Sequence, residues 1–270
     1  KLSNVEEMSE MFRDATSFNQ DLGDWRFPKV TVLNWLFDGA TNFNGDISGW
    51  DVSNIISMAF MFQYVDAFNQ DVSGWNVSNV ESMESMFNWA RSFNQDISNW
   101  NVGKVRSMSN MFSNAISFNQ NLGSWNVGSV ITMNRMFNQV KLSTENYDAI
   151  INGWYASGTF QNDIVFDGGF SEFCEAGPSK QTLINDHNWS FTDSGEFCPL
   201  PLSVTDVYLI NAENDSPVYV LREDAQINLQ SITSGLLNFE VNTSTDVESV
   251  RIELNEGFEM PTSVNDVHYT

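Results

Sequence analysis

The sequence predicts an α/β solenoid, leucine-rich-repeat-like with 25-residue coils, then a disulfide-stapled C-terminal cap and an incomplete all-β, immunoglobulin-like sandwich. Three observations carry this expectation. Trp recurs at 25, 50, 75, 100 and 125, and Phe at 12, 37, 62, 87, 112 and 137, a period of 25 without slippage. Two cysteines, Cys174 and Cys198, lie beyond Val140, where the period decays. From residue 202 onward, β-rich runs alternate with turn residues. The expected domains are therefore residues 1–140, 141–199 and 202–270.

Within one unit, Val80 to Lys104, the apolar residues Val80, Met83, Met86, Phe87 and Ala90 fall mostly three or four apart. That spacing predicts a short helical segment, with Ser78 or Asn79 capping it. Phe93, Ile97, Trp100 and Val102 follow at spacings closer to an extended chain. A unit of 25 residues is short for a propeller blade, which needs roughly 40. Ten of the 11 Met residues fall at two repeat positions, and Leu33 and Leu36 stand there in the second unit. An aliphatic replacement marks a core position, not a metal-binding thioether. The Trp column reads as buried between coils, with an exposed sugar-stacking platform as the alternative.

Two polar columns run through the array. Asn occupies 19, 44, 69, 94 and 119, and predicts a buried ladder whose amides bond backbone groups that the coil cannot pair. Asp occupies 21, 46, 71 and 96, with Asn121 closing the column. Carboxylates stacked one strand apart, about 4.8 Å, repel unless they accept hydrogen bonds, reach solvent or share a cation. Three readings follow: turn-capping acceptors, an exposed recognition stripe, or Ca²⁺ sites, although no D-x-D-x-D-G loop is present. The recognition reading takes in Gln20, Asp21, Asp46, Gln70, Asp71, Gln95, Asp96 and Gln120.

After Val140, Ser143 or Thr144 can cap a helix whose apolar residues are Tyr147, Ile150, Ile151 and Trp154, with Gly158 as its stop. Asp163–Phe166 reads as a strand, Ser179–Asn188 as a helix and Trp189–Thr192 as a strand. A repeat array needs such a different terminal unit to cover its last core face. Cys174 and Cys198 point to one disulfide and an oxidising compartment. Free thiols and catalysis are the alternatives, but only His187 is near and no zinc set or nucleophile–base pair forms. Pro199-Leu200-Pro201 reads as a stiff linker. Strands are expected at 204–210, 227–232, 237–241 and 247–254, as in an antiparallel sandwich. The open edge that four or five strands leave predicts more strands beyond Thr270, and the mid-pattern start at Lys1 predicts a piece of a longer protein.

Charge narrows the partners. Twelve Lys plus Arg face 35 Asp plus Glu, a net charge of −23. Nucleic acid and anionic lipid both depend on basic contacts and are excluded on that ground. No apolar run reaches the roughly 18 residues that a membrane-spanning helix needs. Catalysis has no visible machinery. His187 and His268 join no motif, and no G-x-S-x-G, phosphate loop or H-E-x-x-H occurs. Acidic pairs such as Glu6–Glu7 or Asp206–Glu213 are conceivable glycosidase carboxylates, but most of the 35 acids must simply be solvated.

The unit M-x-x-M-F-x-x-A-x-x-F-N-Q-D-[LIV]-S-x-W-N-V-S-x-V resembles the 25-residue repeat of the BspA-type leucine-rich-repeat surface proteins, over residues 1–140. Residues 142–198, with FCEAG and SGEFC, resemble the segment closing such arrays in Bacteroidota, where the two Cys recur at equivalent places. Residues 203–255 resemble a β-sandwich module of secreted proteins in those bacteria. The resemblance implies a secreted or cell-surface binding or adhesion protein, exported through the type IX secretion system, with an extracellular protein or polysaccharide as partner. It carries no catalytic residues and no cofactor. The second expectation is an accessory region of a large secreted carbohydrate-active enzyme, and the third is a structural spacer.

Overall fold

A computed structural model describes residues 2–198, together with the strands 204–211, 216–221 and 237–243. Contacts divide the chain into one unit, Lys1–Cys198, and a second, Pro199–Thr270.

The repeats of the first unit form no α-helix. In the unit starting at Val80, the N–H groups of Met83, Ser85, Phe87 and Trp89 donate to the carbonyls of Ser107, Ser109, Met111 and Ser113 in the next coil, at 2.8–3.0 Å. The N–H groups between them, on Met86, Asn88 and Ala90, donate three residues back, to Met83, Ser85 and Phe87, at 3.0–3.2 Å. A helix would have kept every one of these donors inside its own coil, bonded four residues back. Sharing alternate donors with a neighbour requires a left-handed residue in each turn, and Ser85 (φ 52) and Trp89 (φ 63) supply it. The same two positions are left-handed at 35 and 39, 60 and 64, 110 and 114, and 135 and 139. The expected helical segment is thus corrected to a chain of turns. Spacings of three and four place Met83, Met86, Phe87 and Ala90 on one side in either conformation, so periodicity alone could not separate them. Asn79 caps no helix: its Nδ2 donates to the Ser53 carbonyl of the preceding coil at 2.8 Å.

Coils therefore stack in register. Val32, Ser57, Ser82, Ser107 and Thr132 form a continuous line of parallel bridges. Behind it lie the aromatic columns. Phe37, Phe62, Phe87, Phe112 and Phe137 stack with ring centroids 5.5–5.7 Å apart. Phe43, Phe68, Phe93 and Phe118 stack at 6.0–6.2 Å. Trp50, Trp75 and Trp100 follow at 6.2 and 6.4 Å. Each buried ring removes apolar surface worth about 1.5–3 kcal/mol from water. That gain needs a neighbour on both sides. Phe12, Phe18 and Trp25, in the first described coil, stay only partly buried, whereas their counterparts in later coils are buried.

The Trp column is buried but not apolar throughout. Each indole N–H reaches back to a carbonyl of the preceding coil: Trp50 to Leu22 at 2.8 Å, Trp75 to Ile47 at 3.3 Å, Trp100 to Val72 at 3.1 Å and Trp125 to Ile97 at 3.1 Å. In the segment after the repeats, Trp154 makes the same bond to Leu122 at 2.9 Å.

That closing segment has four regular elements. Helix α1 spans Thr144–Ser157, with Ser143 as N-cap and left-handed Gly158 as C-cap. Strand β1 is Val165–Asp167, helix α2 Gly177–His187 and strand β2 Ser190–Thr192. Met133 bridges to Phe166, and β1 pairs in parallel with β2, so the inter-coil ladder runs on into the cap. Tyr147, Ile150, Ile151 and Trp154 of α1 cover the last aromatic face. Cys174 and Cys198 are joined in a disulfide, with Cα atoms 4.6 Å apart.

In the second unit, β3 (Val204–Asn211) pairs antiparallel with both β4 (Ser216–Leu221) and β5 (Leu237–Thr243), in the order β4-β3-β5. β4 was not among the strands expected from the sequence. The strands expected at 227–232 and 247–254 lie outside the described residues.

Replacing Trp100 by Phe keeps most of the ring but removes one of the two donors on the buried Val72 carbonyl, which still accepts the Trp75 N–H at 3.1 Å. The expected loss is that of one satisfied hydrogen bond, about 0.5–1.5 kcal/mol, read as a melting temperature a few degrees lower. A variant that melts with the parent would mean that the indole N–H adds nothing to coil cohesion.

Candidate functional site

The columns containing Gln20, Asp21, Asp46, Gln70, Asp71, Gln95, Asp96 and Gln120 lie on the extended side of the coils, where backbone bonding between coils is sparse. Side chains take over that bonding. The Asn44 N–H donates to Asn19 Oδ1 at 2.8 Å, Asn69 to Asn44 at 2.9 Å, Asn94 to Asn69 at 3.0 Å and Asn119 to Asn94 at 2.8 Å. In the cap, the Ser143 N–H continues the line to Asn119. The expected Asn ladder is present, but four of its five members are exposed, so it is corrected from a buried ladder to a surface one. Among the described residues nothing covers this side of the coil, and the amides can bond backbone without being sequestered from water.

The Gln side chains are bound into the same ladder. Gln95 Nε2 donates to the Asn69 carbonyl and to its Oδ1, both at 2.9 Å. Gln120 repeats this on Asn94 at 3.0 and 2.8 Å, and Gln70 reaches the Asn44 carbonyl at 2.8 Å. Gln20 bonds locally, to the Asn19 carbonyl at 3.1 Å. In the cap, Asn146 takes the Gln role on Asn119. Gly45 breaks the column, since a Cβ there would collide with the Gln20 carbonyl. The ladder consumes Nε2 of Gln70, Gln95 and Gln120 and leaves Oε1 without a protein partner among the described residues.

The Asp column adopts the geometry of turn-capping acceptors. Asp46, Asp71 and Asp96 each accept, through Oδ1, the N–H of the serine two residues on, at 2.9 Å. Asn121 does the same for Gly123 at 2.8 Å. Asp21 instead accepts the Asp46 N–H at 2.9 Å, across coils. The Ser48 and Ser73 hydroxyls, then their N–H groups, hold Asp46 and Asp71 below the usual carboxylate range. At Asp96 the Ser98 N–H leads and the hydroxyl follows. All four aspartates are exposed, so each presents charge to solvent from a fixed turn. Among the described residues, no group of three or more His, Cys, Asp or Glu is placed to hold a metal ion.

Sequence reasoning passed over two arrangements. Outside the core, Trp35 stacks on Phe60 at 5.0 Å, Tyr64 lies 6.1 Å from Trp89, and Arg91 covers Trp89 at 4.7 Å. These four aromatics occupy the left-handed turn positions, where other copies carry Glu, Asp, Ser, Asn, Gly, Arg or Gln. Their departure from the column was the available signal. The second arrangement is in the cap. The Asp148 carboxylate accepts the N–H groups of Cys174, Glu175 and Ala176 at 2.9–3.1 Å. It thereby caps α2, whose N-cap Ala176 has no side-chain acceptor. No local sequence pattern links residues so far apart.

The family described as Mycoplasma protein of unknown function, DUF285, matches residues 1–73 and 46–154. No curated protein and no solved structure matches the chain.

Asp46, Asp71 and Asp96 are more acidic folded than the usual aspartate value of 3.8. The stability they add is complete above the unfolded value and is lost as pH falls through the folded one. Asp38, pushed up by burial, works in the opposite sense. Changing all three exposed Asp to Asn retains the turn acceptor, as Asn121 shows. The triple variant is expected to melt somewhat below the parent near neutral pH and to converge with it on acidification below about pH 4, where the parent loses the same contribution. Parallel acid profiles for parent and variant would remove these carboxylates from the acid response.

Proposed function

We propose, from the premise that this chain belongs to the family described as Mycoplasma protein of unknown function, DUF285, a non-catalytic binding or adhesion role for its repeat face. In this reading residues 1–140 are a leucine-rich-repeat-like solenoid of a BspA-type surface protein. Residues 141–199 close it, and a secreted β-sandwich begins at 202. The protein works outside the cell, in a bacterium of the Bacteroidota, after export through the type IX secretion system.

The observation that carries the reading is the locked stripe. Asp46, Asp71 and Asp96 repeat one carboxylate per coil from identical turns, beside the Gln oxygens of Gln70, Gln95 and Gln120. Because those side chains are already held by the coil, a ligand orders little on binding. One such site is weak, but sites repeated in register engage a repetitive ligand with avidity. A net charge of −23 repels polyanions, so the stripe is matched to a neutral or basic extracellular polysaccharide or protein.

The triple Asp-to-Asn variant tests this, because it removes charge and keeps the turns. Adhesion of the full chain to immobilised neutral polysaccharides and to whole cells is expected to fall at least tenfold while the variant stays folded at the assay temperature. Undiminished binding by the folded variant would sink the charged stripe as the recognition element.

A further inference from the structure

Away from the stripe, a buried polar cluster in the cap has no part in coil stacking. The Lys180 ammonium nitrogen lies 2.6 Å from Asp193 Oδ2, with the two side chains 13% and 5% exposed. The Tyr147 hydroxyl donates to the same Oδ2 at 2.8 Å, and the Gly195 N–H donates to Oδ1 at 3.1 Å. Around Lys180 the walls are aromatic: its nitrogen is 4.2 Å from the centroid of the Phe173 ring and 5.3 Å from that of Phe191. Amine and carboxyl are thus in contact, shielded from bulk water; Oδ2 accepts from both Lys180 and Tyr147, and Oδ1 from the Gly195 N–H.

We propose that Lys180 and Asp193 condense into an intramolecular isopeptide bond, so that the cap cross-links itself. In the reacting form one proton has passed from Nζ to Oδ2 across their 2.6 Å contact, which leaves a neutral amine as nucleophile and a carboxylic acid as electrophile. Nζ then attacks Cγ. The N–Cγ bond forms while the electron pair of the Cγ–Oδ1 double bond moves onto Oδ1, where the Gly195 N–H receives the developing charge. Tyr147 gives its proton to Oδ2 and is re-protonated from the nitrogen. The Cγ–Oδ2 bond breaks and Oδ2 leaves as water. The ammonium has lost two protons, the carboxylate one oxygen, and water carries away all three. No oxidant, reductant or co-reactant enters. Burial, with Asp193 beside it, keeps the Tyr147 phenol protonated far above its ordinary range, so the donor is present at neutral pH. Holding both groups in contact replaces a bimolecular encounter by an intramolecular one, the largest single advantage such a site offers.

The cross-link joins α2 to the turn at Asp193, inside the loop already closed by Cys174 and Cys198. It therefore keeps the cap tied when that disulfide is reduced.

Intact-mass spectrometry of the full chain, denatured and reduced, reads the reaction directly. The expected result is a mass lower than the sequence mass by one water molecule, with a branched peptide joining Lys180 to Asp193 after proteolysis. Lys180→Arg preserves the positive charge beside Asp193 and removes the nucleophile, so it must return the full sequence mass. Tyr147→Phe is expected to leave a detectable unreacted fraction. Full sequence mass in folded, disulfide-bonded parent protein overturns the proposal. So does a water loss that maps to any other residue, or one that persists in Lys180→Arg.

Discussion

Everything in the first unit depends on the way a coil divides its backbone donors. In the turn segment, alternate N–H groups serve the coil itself and the coil that follows it. Neither set alone would make a structure. The internal bonds would leave isolated turns, and the outgoing bonds require a neighbour already in register. Stability is therefore a property of contacts between coils, and the aromatic columns behave in the same way, since each ring is buried by the ring above and the ring below. The left-handed residues meet the geometric cost of this arrangement. A bulky side chain at positive φ is disfavoured, yet Trp35, Phe60, Tyr64 and Trp89 adopt it because the bonds on either side over-determine the backbone.

On the extended side of the coil, polar side chains do the work that backbone does elsewhere. Asn oxygens accept the N–H of the Asn one coil later, Gln amides reach back to Asn carbonyls, and Trp indoles reach back to buried carbonyls. A polar residue recurring every 25 positions is thus first a structural device, and its capacity for recognition is what remains after the coil has used it. Gln70, Gln95 and Gln120 illustrate the division: the nitrogen belongs to the array, and the oxygen is left over.

This division also explains what could be read in the sequence. Phe87, Phe93 and Trp100 announced core by their period, because burial between identical neighbours demands identical residues. Cys174 and Cys198 could be paired because two cysteines have one partner each. The helix boundaries around Tyr147 were legible because Ser143 and Gly158 punctuate them. The turns at Met83–Ala90 were not legible, since turns and helices share a spacing of three to four and differ only in where the N–H groups go. The exposure of the Asn column was hidden for a related reason: period reports equivalence between coils, not depth within one. The meeting of Tyr147, Lys180 and Asp193 arises once, in a segment without repeats, and no period announces it.

The hydrogen bonds between coils do not all run the same way. In the turn segment, N–H groups point toward the following coil, whereas the Asn N–H groups, Gln amides and Trp indoles point toward the preceding one. Their dipoles oppose one another, so the array does not accumulate the end charges that an α-helix of the same length would carry. Adding or deleting a coil changes the length of the molecule without changing the electrostatics of its ends. Such an architecture is open to gene-level duplication of single units: an extra copy meets the same two neighbours as every other copy, and selection can set reach independently of fold.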